Sequence, residues 1–97
     1  MGGHLHTEDI LLAPVVSEES WRLQEKNIYT FRVHPEATKP QIKQAVEEIF
    51  KVRVVAVRTM NMQGKPRRQR FYQQGRTPRW KKALVRLAEG ERIDIQQ

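Results

Sequence analysis

Hydrophobic positions recur along this chain with two periods, and each period predicts its element. From Ile28 to Val33 apolar and polar positions alternate. Tyr29, Phe31 and Val33 share one side, and Ile28, Thr30 and Arg32 share the other, the mark of a strand with one buried face. His34-Pro35 ends it, because proline offers no N–H to a ladder. Thr38 then opens a helix. Thr38 and Gln41 have capping-box spacing, and Pro40 falls in the first turn, where a missing N–H costs little. Ile42, Ala45, Val46, Ile49 and Phe50 recur at i, i+3, i+4, i+7 and i+8, so they form one apolar stripe and are assigned to the core.

Val52 to Met62 is rich in β-branched residues and reads as a long strand. Its alternation slips at Val54-Val55, which points to a bulge. Arg79 to Leu87 is the returning strand, with Ala83, Val85 and Leu87 facing the core and Trp80, Lys82, Leu84 and Arg86 facing out. Earlier in the chain, Ile10 to Val16 is an apolar run broken by Pro14, hence extended rather than helical. Ser17 is placed as an N-cap, with Glu18 and Glu19 in a first turn that favours negative charge. Val16 and Trp21 have the spacing of a hydrophobic staple, and this short helix ends near Lys26-Asn27. Glu89-Gly90 is a turn, and Ile93 to Ile95 is read as a short last strand.

These elements predict an α+β fold. A small, mainly antiparallel sheet of three to four strands carries helices on one face, and a long basic loop, residues 63–76, extends from its second and third strands. Strand 28–33 enters a crossover through the helix. It is therefore expected to run parallel to a strand of the sheet, with strand 52–62 or strand 79–87 as its neighbour. The uncovered face would present Arg32, Lys82 and Arg86. Residues 1–9 are expected to be disordered, and residues 10–97 form one domain, as a chain of 97 residues allows.

Charge changes the picture from fold to partner. The chain has 18 Lys+Arg against 11 Asp+Glu, a net charge of +7. Residues 63–86 hold nine bases (Lys65, Arg67, Arg68, Arg70, Arg76, Arg79, Lys81, Lys82 and Arg86) and no acid. The rest is close to neutral, with nine bases and all 11 acids. Mixed charge is usually a solvated face, but a run of one sign repels itself unless a polyanion neutralises it. Phe71, Tyr72 and Trp80 interleave with these bases, and aromatic rings stack on unpaired nucleobases. Nucleic acid is the expected partner.

Other chemistries find little support. With no cysteine there is no disulfide, thiol nucleophile or thiolate metal site. His4 and His6 sit on a floppy end and are not assigned a metal. Glu18 and Glu19 are adjacent, so on a helix they point apart and do not form an acid/base pair. Gly64-Lys65 lacks both the leading glycine and the following Ser/Thr of a phosphate loop. No enzyme activity, cofactor or small-molecule substrate is expected. No run approaches the roughly 18 apolar residues of a membrane span. The start, Met1 to His6, has no basic region like that of a secretory signal. A cytoplasmic protein without membrane insertion is therefore expected. A membrane-surface module fits poorly, because the bases do not lie along an amphipathic helix.

Some residues carry a more specific signal. Pro14-Val15-Val16-Ser17-Glu18 precedes a short helix. Tyr29-Thr30-Phe31-Arg32-Val33 leads into Ala37-Thr38-Lys39-Pro40-Gln41-Ile42-Lys43-Gln44-Ala45-Val46-Glu47. Phe50-Lys51-Val52 leads to Val57-Arg58-Thr59, Gly64-Lys65 opens the basic loop, Trp80-Lys81-Lys82-Ala83 closes it, and Leu87 and Gly90 follow. This ordered set, from about Ile10 to Ile95, resembles the bacterial-type large-subunit ribosomal protein twenty-three. The resemblance implies a structural protein of the large ribosomal subunit, bound to 23S-type rRNA beside the peptide exit tunnel and next to other large-subunit proteins. It places the loop near the tunnel wall and the nascent chain. It puts RNA contacts on Lys39 and Lys43, on the loop bases, and on Trp80, Lys81 and Lys82, with Arg79 and Arg86 joining them as members of the basic run. It also implies a docking site for trigger factor and the signal recognition particle at Ser17, Glu18 and Glu19, with Glu18 carrying the acidic contact. The family commonly has lysine where this chain has Glu19, so the dock is more acidic here. The alternative is a free RNA-binding regulatory module, for which the basic segment alone would suffice.

Overall fold

The computed structural model describes residues 6–63 and 79–94. The elements run in order α1 (Thr7–Ile10), β1 (Leu11–Pro14), α2 (Glu18–Gln24), β2 (Ile28–Val33), α3 (Lys39–Phe50), β3 (Val54–Gln63) and β4 (Arg79–Leu87). The four strands form one sheet in the order β1-β2-β4-β3, and every neighbouring pair is antiparallel.

The local rules act where the sequence placed them. Thr38 caps α3: Gln41 N–H donates to Thr38 Oγ1 at 3.3 Å, and Thr38 N–H donates to Gln41 Oε1 at 2.9 Å. Ser17 caps α2, but the reciprocal partner is another serine. Ser20 N–H donates to Ser17 Oγ at 3.2 Å, and Ser17 N–H donates to Ser20 Oγ at 2.8 Å. Asn27 turns the chain out of α2 with φ of 65°, a left-handed conformation that asparagine tolerates better than most residues. Its side-chain amide donates to Ala88 O at 3.1 Å, tying the turn to the end of β4.

The core lies between α3 and one face of the sheet. Tyr29, Phe31 and Val33 of β2 meet Ala83, Val85 and Leu87 of β4, and Ile42, Ala45 and Val46 of α3 cover them. Phe31 lies against Phe50 with ring centroids 5.7 Å apart. Ile49 is a departure: it sits at the margin of the stripe and is exposed. The staple pair Val16 and Trp21 also remain exposed, at 42% and 43%.

Of its two candidate neighbours, strand 28–33 takes strand 79–87 and not strand 52–62. β2 and β3 run in the same direction, as the crossover demands, but β4 inserts between them and pairs antiparallel with both. A central β4 satisfies its backbone on two sides, and its apolar alternate positions fall over the core. The fourth strand is β1, which pairs with β2, rather than Ile93 to Ile95. Residues 91–94 form no strand, although Ile93 is buried and helps close the core, and Ile95 lies outside the described residues. Thr7–Ile10 form a turn of helix where disorder was expected, held to α3 by a 2.9 Å hydrogen bond from Thr7 Oγ1 to Glu48 Oε1. The rest of the N-terminal segment and most of loop 63–76 lie outside the described residues.

The slip in β3 is a bulge. Val54 pairs with Leu87 and Ala56 with Arg86, so two residues of β3 are set against one of β4. Beyond it, Val57 and Thr59 face the helix side, and Ala56, Arg58, Met60 and Met62 face the other.

Candidate RNA-binding face

Side chains alternate along a strand, so Trp80, Lys82, Leu84 and Arg86 leave β4 on the side away from α3. The register aligns each with its cross-strand neighbours. Lys82 stands beside Arg32 and Met60, Leu84 beside Thr30 and Arg58, Arg86 beside Ile28 and Ala56, and Trp80 beside Met62. With strands about 4.8 Å apart, these rows bring four cations from three strands into one patch: Arg32, Arg58, Lys82 and Arg86. No acidic residue occupies any of these positions. The Arg32 guanidinium carbon lies 5.4 Å from the Trp80 ring centroid, a cation–π contact that fixes an aromatic ring among the charges. Cations for phosphate beside a ring for stacking is the combination that unpaired RNA requires.

The lysines at the start of α3 join this patch around the edge of the sheet. Lys39, Lys43 and Glu47 are spaced by four and so share one side of the helix. Glu47 Oε2 accepts the Val54 N–H at 3.0 Å, which turns that side toward the β3 edge. A shallow depression of about 400 Å³ on the open face is lined by Arg58, Leu84 and Arg86 and reaches Lys39. A second, of about 340 Å³, runs under Lys39 and Lys43 along Val55 and Ala56.

Arg79 is exposed at the start of β4. Lys65, Arg67, Arg68, Arg70 and Arg76 lie outside the described residues. Lys81 is placed differently from Lys82. It shares the parity of Ala83 and Val85 and leaves β4 on the helix side, where its Nζ donates to Ala37 O at 2.7 Å and Pro35 O at 3.5 Å. Adjacent in sequence, the two lysines serve opposite faces. Arg58 is the functional candidate that sequence reasoning passed over. Its signal was present: once the bulge at Val55 is counted, Arg58 falls in phase with Lys82 and Arg86.

A second exposed surface lies on α2. Glu18 is 85% exposed, and its only recorded partner among the described residues is Arg22, one turn on, at 3.4 Å. An exposed pair at i, i+4 is worth a few tenths of a kcal/mol, so it leaves the carboxylate available. Val16 and Trp21 stand on either side of it in sequence and add apolar area.

The model of the family described as ribosomal protein L23 matches residues 9–95. The chain belongs to that family. A relative named large ribosomal subunit protein uL23, from Roseiflexus castenholzii, is 53% identical over 91 residues, covering 94% of this chain and 96% of its own length. Its namesake from Cutibacterium acnes is 55% identical over 87 residues, covering 90% of this chain and 84% of the relative. One from Treponema denticola is 51% identical over 87 residues, covering 90% and 92%. Membership makes the chain a structural, non-enzymatic ribosomal protein of the large subunit, at work in translation. Among the described residues no helix is long and apolar enough to cross a membrane.

Proposed function

We propose that this member of the L23 family binds large-subunit rRNA beside the peptide exit tunnel. The contacts would be the open sheet face, the lysines over the β3 edge and the basic loop. The observation that carries this reading is the uncovered face itself. Four cations in adjacent rows, joined to a tryptophan and free of acidic positions, have no acidic partner among the described residues.

The mechanism is scaffolding. Lys39, Lys43, Arg32, Arg58, Lys82 and Arg86 neutralise phosphates and release counterions, which gives affinity and salt dependence. Trp80 stacks on an unpaired base, and the fit to folded RNA supplies specificity. Arg79 follows loop 63–76, whose bases would add to the same charge at the tunnel wall and the nascent chain, next to neighbouring large-subunit proteins. Ser17, Glu18 and Glu19 form a dock for trigger factor and the signal recognition particle. An open carboxylate with apolar neighbours on a capped helix start suits a basic, partly apolar partner.

Sedimentation of tagged protein from a bacterial lysate tests this. After a high-salt wash the protein should migrate with the large subunit, and nuclease should abolish that migration. A light, salt-released protein near the top of the gradient would instead leave a free RNA-binding module as the better account.

A further inference from the structure

We infer that Lys81 is a positioning residue rather than a phosphate contact: it fixes the entry to α3 against the central strand and so sets Lys39 and Lys43 relative to the open face. The inference rests on the RNA-binding reading above.

Three observations carry it. First, strand alternation sends Lys81 to the helix side, away from the Arg32–Arg58–Lys82–Arg86 patch. Its cross-strand neighbours are Val33 and Asn61, not the basic rows. Second, its ammonium has main-chain partners. It donates to Ala37 O at 2.7 Å and to Pro35 O at 3.5 Å, across more than 40 residues of sequence (|i−j| of 44 and 46). An ammonium has three donors, and at least one is already well placed on a carbonyl. Third, those carbonyls belong to the turn that starts α3. Ala37 N–H donates to His34 O at 3.0 Å, Glu36 N–H donates to His34 Nδ1 at 3.0 Å, and Thr38 caps the helix immediately afterward. Proline at 35 can give no N–H to hold this turn, so the cation draws its carbonyls together from outside. The next residue after the cap is Lys39. The basic run therefore divides in two by function: Lys82 meets the polyanion, and Lys81 orients another lysine that does.

Two measurements separate these roles. In the first, the affinity for in vitro transcribed 23S-type rRNA is measured against KCl concentration for wild type, Lys81→Gln and Lys82→Gln. Losing one phosphate contact flattens the salt slope by about 0.7–0.9. Lys82→Gln should show that loss with an unchanged Tm. Lys81→Gln should keep the slope, lose about two- to tenfold in affinity at fixed salt, and lower Tm by about 4–8 °C. A flattened slope with unchanged Tm in Lys81→Gln overturns the inference.

The second uses wild-type protein and so survives a variant that does not fold. Amine acylation is followed by mass spectrometry with and without the same rRNA. Lys81 should react more slowly than Lys82 in the free protein, and rRNA should protect Lys82 much more than Lys81. Equal protection of the two overturns the positioning role. Protection of neither Lys82 nor Lys39 would instead refute the RNA-binding face on which the inference depends.

Discussion

At the scale of single residues, the chain keeps its two charges of interest apart. Glu18 stands on α2 at the cap, while the cations stand on the sheet face and the β3 edge. A change at one should therefore leave the other alone, since sites that share no recorded partner usually act additively. Glu18→Ala is expected to leave rRNA affinity unchanged and to weaken trigger factor binding to reassembled large subunits by roughly two- to fivefold at low salt. Equal factor affinity in mutant and wild type would place the dock elsewhere. The cap at Ser17 was legible because capping is a rule of four consecutive residues. Its closure by Ser20 was not, because the usual reciprocal partner at that place is Glu or Gln. Lys81 and Lys82 were read as one basic motif. Their separation is visible only once strand parity is matched to the carbonyls of a turn more than 40 residues away (|i−j| of 44 and 46).

At the scale of elements, α3 is where local signals agree best. Cap, proline position and apolar stripe all specify the same helix, and consistency of this kind favours one structure. Thr38→Ala removes an acceptor from the Gln41 N–H and should cost about 1 kcal/mol. For a domain of this size that lowers Tm by about 4–8 °C, measurable by thermal melting followed by circular dichroism. A Tm within a degree of wild type would show that tertiary packing alone holds the helix start. Strand spans were also close to legible: β2 and β4 begin and end where alternation put them. Strand order was not. Whether β4 lies outside β3 or between β2 and β3 depends on pairing partners far apart in sequence, and periodicity says nothing about partners. The same blindness left the extended Pro14 segment without a named partner strand, although proline is tolerated on an edge strand such as β1.

At the scale of the whole molecule, the net charge of +7 comes from one stretch of sequence, residues 63–86, in an otherwise nearly neutral chain. The described part supplies Arg32, Arg58, Lys82 and Arg86 on the open face, and the loop adds Lys65, Arg67, Arg68, Arg70 and Arg76 by sequence. Long-range attraction to a polyanion should then scale with the number of charges removed. Replacing Arg67, Arg68 and Arg70 together by Gln is expected to flatten the salt slope of rRNA binding by about 2–3. The globular domain should keep its Tm, since none of the three belongs to the described core. An unchanged slope would refute their placement against phosphate. The partner class proposed here rests on this scale because charge composition survives any folding. The site's outline was not legible at this scale, because it depends on which residues a bulge and a strand order bring into the same row.

The bulge at Val55 has a consequence for how this strand can change length. Strict alternation counted from Val54, which faces the core, would carry Arg58 into the core as well. The extra residue shifts the phase by one, and everything from Ala56 onward is read on the opposite side of the sheet. Flattening the bulge with Val55 retained would thus act like a frameshift written in space, exchanging Arg58 and Met60 with Val57 and Thr59 while altering no letter of the sequence. Losing Val55 together with its bulge would keep Arg58 on the open face, whereas one residue gained or lost between Ala56 and Arg58 would bury a guanidinium. Between the helix and the loop, then, this chain can shed one residue only where the bulge already absorbs it, and along the rest of the strand it is held to even steps.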